Sequence, residues 1–343
     1  MPNHDIIVIG ASAGGLEALR VLVGALPRDL PAAVFVVWHI SAESPGLLPD
    51  ILQRAGELPA VNARHMEPVA PGRIYVAPPD HHLVVENGFM ATTKGPKENR
   101  FRPAVDPLFR SAAAAYGPRV VGVVLSGGLD DGTAGLWAVK QQGGVAVVQH
   151  PHDALVPSMP QSALSHVSVD HCVPIAEMAS LLVQLANTPV PQEGAAPMSD
   201  KLKMEVAIAR EDNAIDAGVE TLGDISSFTC PECHGMLREL KEGGILRFRC
   251  HTGHAYSAQS LLSEATEVIE EMLWSSIRGI EESVMLLRHL SQHVADHGYR
   301  EEAEALSQKA EEAHRRANLV RRVVMQHEQL PEELQAVEPE RAA

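Results

Sequence analysis

Two groups of residues in this 343-residue chain have types and spacings suited to chemistry. The first is the turn Ile6–Gly15, I-I-V-I-G-A-S-A-G-G. Ile6 to Ile9 is an apolar run suited to a buried parallel strand, and Leu16 to Arg20 opens a helix. Ser12 therefore lies between a strand end and a helix start. As G-x-G-x-x-G, the turn would hold a dinucleotide, but Ser12 replaces the middle glycine that lets backbone approach a pyrophosphate. The second apolar run then ends in His39 rather than an acid for the ribose. As G-x-S-x-G, spelled by Gly10, Ser12 and Gly14, it presents a hydroxyl beside helix amides able to hold an oxyanion. A glycine turn with an incidental serine fits this stretch alone equally well.

The second group is Cys230-Pro231-Glu232-Cys233 followed by Cys250-His251-Thr252-Gly253-His254. Cys-x-x-Cys brings two sulfurs to one ion; Cys250 adds a third, and His254 or His251 a nitrogen. His254 is the better ligand, since a residue adjacent to Cys250 would close a strained ring. Such a closed Cys3His site holds structural zinc; three free or buried thiols around a Gly243-Gly244 turn are the plainer alternative. Cys172 stands apart as a small core residue.

The elements that must position these groups follow from apolar patterning. Runs at Ile6–Ile9, Ala33–Trp38, Arg73–Ala77, Val120–Leu125 and Val145–Gln149 alternate with helical stretches. That pattern predicts an α/β fold with a mainly parallel, doubly wound sheet. His82–Val85 and Phe89–Thr93 flank Asn87-Gly88 as an inserted hairpin. Sites in such sheets gather beyond the carboxyl ends of the strands. The first run ends at Ser12, the second at His39, and the run from Val120 leads into Ser126-Gly127-Gly128-Leu129-Asp130-Asp131-Gly132. A hydroxyl, an imidazole and a carboxylate at three strand ends are the parts of a nucleophilic triad. Each is also an ordinary structural feature, and Asp in a glycine turn is common.

Residues 188–199, rich in proline and small residues, read as a linker after a first domain of 1–187. A short helix at Lys201–Arg210 and the Cys/His segment complete 200–257. From Ala258 to Gln329 two long helices, broken at Asp296-His297-Gly298, predict a helical hairpin or coiled-coil dimer over 258–330, with a disordered tail at 331–343. Formal net charge is −16, with −4 in Met1–Asn187 and −12 in the rest. Acidity of that size argues against nucleic acid or an anionic membrane as partner. No run is long enough to span a membrane and no basic leader precedes the first strand, so a cytoplasmic protein that is not an integral membrane protein is expected.

The stretches Gly10–Leu19, Val36–Ile40, Ile74–Leu83, Phe101–Ser111 and Val123–Gly135 together resemble the chemotaxis protein-glutamate methylesterase family, the CheB catalytic domain, in that family's order. The resemblance implies a hydrolase of glutamyl methyl esters on chemoreceptors, often also a deamidase of receptor glutamines, with no cofactor for catalysis. It assigns Ser12 as nucleophile, His39 as general base, Asp131 as orienting carboxylate in preference to Asp130, and amides of Gly127–Leu129 as oxyanion donors. Val156–Pro160 resembles a loop near the site. Ala13 stands where the family usually has a hydroxyl, and Gly128-Leu129 where it has Met-Gly. The family's familiar receiver domain does not precede the first strand, so regulation through a partner on the C-terminal helices is one expectation. A degenerate scaffold that docks receptors or kinases through its C-terminal module is the alternative.

Overall fold

The computed structural model describes residues 2–190, 198–210, 214–242 and 244–325. The chain runs β1 (Ile6–Ala11), α1 (Gly15–Ala25), β2 (Ala33–Trp38), α2 (Leu48–Ala55), β3 (Ala60–Asn62), β4 (Glu67–Pro68), β5 (Arg73–Val76), β6 (His82–Val85) and β7 (Phe89–Thr93). It continues through α3 (Val105–Tyr116), β8 (Val120–Val124), α4 (Thr133–Gln141), β9 (Val145–Gln149), α5 (Ser158–His166), β10 (His171–Val173), α6 (Ile175–Ala186) and α7 (Asp200–Ala209). Last come β11 (Asp224–Thr229), β12 (Met236–Glu242), β13 (Ile245–Cys250), β14 (Ala255–Ser257), α8 (Ala258–Asp296) and α9 (Arg300–Met325).

Seven strands form one parallel sheet in the order β10-β9-β8-β1-β2-β5-β3. Successive side chains of a strand point to opposite faces, and β1 shows the consequence. Ile7 and Ile9 pack with Leu19 and Leu22 of α1, Leu52 of α2 and Leu182 of α6. Ile6 and Val8 pack with Leu108 and Phe109 of α3, Leu136 of α4 and Met159 of α5. Both faces are thus covered, which is why the strands read as unbroken apolar runs. The predicted hairpin is β6–β7, in register from His82 with Thr93 to Val85 with Met90; with β4 it makes a separate antiparallel sheet.

The chain divides into two compact units, meeting between Leu261 and Leu262. Within the first, segment 200–257 packs together with the parallel-sheet portion: Thr93 Oγ1 donates to the Ala209 carbonyl at 2.6 Å, and the Lys97 carbonyl accepts from Ala255 N at 3.2 Å. The sequence showed this segment as a short helix and a Cys/His turn; it also contains the four-stranded antiparallel sheet β11-β12-β13-β14. In the second unit, α8 and α9 form an antiparallel hairpin. Ser291 Oγ donates to the Ala303 carbonyl, Arg321 pairs with Glu281, and Ile277, Val284, Ala310 and Ala317 are buried. The turn falls at Asp296–Tyr299, with Gly298 at φ 90°. Most of the expected linker and all of the expected tail lie outside the described residues.

Candidate active site

The central strand β1 has β2 on one side and β8 on the other, so the chain after each delivers a residue to one edge of the sheet. Ser12 follows β1. Its amide donates to the Ser126 carbonyl at 3.0 Å, which ties the serine turn to the loop after β8. Two glycines make the turn possible. Gly14 has φ 72°, and a Cβ on it would lie 2.7 Å from both Leu155 Cβ and Ser126 Oγ. A Cβ on Gly127 would lie 2.0 Å from Met159 Sδ and 2.9 Å from Ser12 Cβ. The loop after β8 therefore approaches the serine more closely than a side chain at position 127 would allow.

His39 extends from the end of β2. Its Nδ1 lies 3.1 Å from Ser12 Oγ and its Nε2 lies 2.7 Å from Asp131 Oδ2. With a proton on Nε2, the ring donates to the carboxylate and accepts from the serine hydroxyl. This uses the two nitrogens in the opposite sense to the serine-protease template, with the same roles. The ring is stacked on Phe101, centroids 3.9 Å apart and planes 10° from parallel. That flat support, together with the Asp131 bond, orients the imidazole where Ala13 offers no hydroxyl.

Asp131 is 2% exposed and surrounded by donors. Besides His39 it accepts from the amides of Val105 at 2.7 Å, Gly132 at 2.9 Å and Asp106 at 3.2 Å, and from Asn99 Nδ2 at 2.9 Å. Burial alone would raise its pKa; the bond from His39 and the surrounding donors win and hold it below the usual carboxylate range. Asp106 goes the other way. Burial, and then the neighbouring Asp131 charge, push it up to about 7. Of this adjacent pair, Asp131 carries the negative charge that faces the histidine. Asp130 faces away and accepts instead from Ser257 Oγ at 2.6 Å.

Of the amides expected to hold an oxyanion, Gly127 N–H donates to the Val156 carbonyl at 2.9 Å, which removes it from the set and leaves Gly128 and Leu129. The Val156–Pro160 loop thereby acquires a part: it clasps the Gly127 turn, with Met159 N donating back to the Gly127 carbonyl at 2.9 Å. Beside the histidine an open cleft of about 420 Å³ is bordered by His39, Phe101, Arg100 and Arg102.

The four expected ligand residues also converge. One ligand atom each from Cys230, Cys233, Cys250 and His254 lie within 4.8 Å of one another, a group able to hold a metal ion. A tetrahedral ion about 2.3 Å from each thiolate would set sulfurs roughly 3.8 Å apart. Cys233 and Cys250 Sγ are 3.6 Å apart, and His254 Nδ1 lies 3.5 Å from Cys250 Sγ and 3.7 Å from Cys230 Sγ. His254 Nε2 faces Glu232 at 3.2 Å, the carboxylate that fixes a ligating imidazole in many metal sites. His251 packs over Gly235 instead, and Cys172, expected in the core, is exposed on the sheet's edge strand β10, which is only three residues long and paired on one side.

Sequence reasoning assigned no role to Phe101 or Asp106, although both lie in a stretch it singled out. It passed over Asn99 entirely, since one asparagine in a loop carries no signal of its own.

A serine hydroxyl, an imidazole and a buried carboxylate lie in line at the carboxyl edge of a doubly wound sheet, the set of groups that serine-type acyl transfer uses. Residues 7–182 match the family model described as CheB methylesterase. The chain belongs to that family. A Leptospira interrogans protein described as a candidate protein-glutamate methylesterase/protein-glutamine glutaminase is 36% identical over 184 residues, covering 53% of this chain and 95% of that protein. A protein-glutamate methylesterase/protein-glutamine glutaminase of Burkholderia lata is 39% identical over 184 residues, covering 52% of this chain and 50% of its own length. Among solved structures, the CheB methylesterase catalytic domain of Thermotoga maritima is 33% identical, with a TM-score of 0.52 over 54% of this chain and 99% of that one.

Proposed function

We propose that the protein is a protein-glutamate methylesterase whose residues 1–187 form the catalytic domain, and that Ser12, His39 and Asp131 carry the reaction. The observation that supports this most is the unbroken line from Ser12 Oγ through His39 to Asp131, at 3.1 and 2.7 Å. Ser12 Oγ attacks the carbonyl carbon of a glutamyl methyl ester while His39 Nδ1 takes its proton. The tetrahedral oxyanion is met by the amides of Gly128 and Leu129. Collapse breaks the bond to the methoxy oxygen, which leaves as methanol with the proton from His39. Water, deprotonated by His39, then releases glutamate and restores Ser12. Asp131 stabilises the imidazolium in both halves. A glutamine side chain would follow the same path with ammonia leaving. The chemistry needs no diffusible cofactor.

The substrates that fit this reading are methylated chemoreceptors reached from the cytoplasm; no helix among the described residues is long and apolar enough to cross a membrane. Methanol release from methylated receptor membranes tests it. Wild type should release methanol, and Ser12→Ala and His39→Ala should not. A folded wild type that releases none from its cognate receptor contradicts it.

The Cys3His group is best read as structural zinc. Cys230, Cys233, Cys250 and His254 fill four positions, which leaves none open for substrate. One zinc per chain should be found by elemental analysis and be lost in Cys233→Ser. A metal-free wild type overturns the assignment.

A further inference from the structure

Residues 97–99 lie between the triad carboxylate and the Cys/His segment, and each is held by that segment. Lys97 Nζ pairs with Glu232 at 2.9 Å, and Glu232 in turn faces His254. Glu98 is 1% exposed and accepts from Arg249 Nη2 at 2.9 Å. Asn99, at φ 48°, donates its backbone N–H to the Ala255 carbonyl at 2.8 Å.

The Asn99 side chain spends its full hydrogen-bonding capacity across this junction. An amide has two N–H donors and an oxygen with two lone pairs. Nδ2 gives one hydrogen to Asp131 Oδ1 at 2.9 Å and the other to Asp106 Oδ2 at 3.0 Å. Oδ1 accepts from Ser257 N at 2.9 Å and from Ser260 Oγ at 3.1 Å. The orientation of the amide is thereby fixed: one donor meets the ionised Asp131, which only accepts, and its oxygen meets the Ser257 backbone N–H. Ser257 makes a second tie, since its hydroxyl donates to Asp130 beside Asp131.

The segment's side of this junction starts at the ligand group. Cys250 N donates to the His254 carbonyl at 3.0 Å, closing the turn that carries both ligands. Ala255 follows directly, and Ser257 is two residues beyond. Arg249, next to Cys250, donates to the Gly253 carbonyl and to Glu98.

We propose that Asn99 is a positioning residue of the esterase, through which the Cys/His segment holds Asp131, and hence His39, in the orientation that catalysis requires. The inference rests on the reading of Ser12, His39 and Asp131 as the catalytic set. On it, the Cys/His segment is a working part of the active site rather than an appended module. Freed from Ser257 and Ser260, the Asn99 amide can turn, and Asp131 Oδ1 loses a donor that no solvent replaces at its burial.

Steady-state kinetics of methanol release by the full chain, with Asn99→Ala and Ser260→Ala, test this. Ser260 Oγ has one hydrogen, given to Asn99 Oδ1 at 3.1 Å with the Ser257 carbonyl 3.2 Å away as the competing acceptor, so its loss leaves the catalytic residues themselves unchanged. Removal of the groups that orient metal-ligating side chains costs about 10- to 100-fold, and a loss of that order is expected for a group that orients a triad carboxylate. Asn99→Ala should lower kcat by that amount with KM unchanged, and Ser260→Ala by a few-fold with KM unchanged, both with wild-type zinc content. If either variant is folded and keeps wild-type kcat, the inference is wrong. If Asn99→Ala does not fold, Ser260→Ala decides. Absence of methanol release by wild type would instead remove the methylesterase reading on which the inference stands.

Discussion

The parallel sheet and the Cys/His segment bury residues of opposite kinds. Around β1 the buried residues are Ile, Val, Leu and Phe, each contributing roughly 1.5–3 kcal/mol by leaving water. Segment 200–257 has far less of this. It has one small apolar cluster of Ile208, Ala214, Val219, Leu222 and Leu240, and another in which Leu237, Phe248 and Tyr256 surround Cys230 and Cys250. Where it meets the sheet portion it buries charge: Glu98, Glu205, Arg110, Arg247 and Arg249 are all at most 2% exposed and mutually paired. Buried ion pairs gain little net stability over apolar packing, but breaking one is costly because it strands the partner. The segment is therefore the part that acid or loss of one charge should strike first.

The largest expected effect falls on the chemistry. Asp131→Asn should lower kcat by about 10⁴-fold, the loss seen when a triad carboxylate no longer selects the histidine tautomer. A drop of less than tenfold would mean that His39 is oriented mainly by Phe101. Next, Arg249→Met should destabilise the protein by about 3–5 kcal/mol in denaturant unfolding, because Glu98 and Glu205 keep their charges without it. A change under 1 kcal/mol would show that Arg247 and Arg110 suffice.

Acid should separate the two regions further. Arg247, Arg249 and Arg110 overcome the effect of burial and lower Glu205 from 4.5 to about 2; Glu98 is lowered by the same three guanidinia. Both groups therefore bind fewer protons folded than unfolded. Their contribution is complete above about pH 4.5 and is lost as pH falls toward 2. Proteolysis near pH 3 should cut 200–257 before it cuts the sheet. Cleavage of both at equal rates would contradict the comparison. The smallest effect belongs to an exposed pair on the sheet's own helix: Arg20→Ala, which frees Glu17, should shift stability by less than about 0.5 kcal/mol.

The same contrast governs what the sequence made legible. Strands β2, β6, β7 and β9 could be read to the residue, because apolar runs and the Asn-Gly turn are local signals. Strands β3 and β10, of three residues each, have no such run and exist through pairing with β5 and β9. Ser12, His39 and the Asp130-Asp131 pair stood out because strand ends are where a parallel sheet gathers residues, and the choice of Asp131 came with the family resemblance. The four metal-ligand candidates were visible through Cys-x-x-Cys spacing. The buried arginines and glutamates were not, since a charged residue is exposed by default and only its partner, far along the chain, reverses that. Glu98 and Arg249 are 151 residues apart. Asn99 was hidden for the same reason: its four partners come from three separate stretches.

The central claim is that Ser12 is the nucleophile. The most direct test is acid quenching of the full chain during turnover of a glutamyl methyl ester peptide, followed by mass analysis of the proteolysed enzyme. The account predicts a glutamyl adduct on the peptide that contains Ser12, absent from Ser12→Ala, with methanol released in step with it. An adduct on another residue, or methanol release that persists in Ser12→Ala, would contradict it.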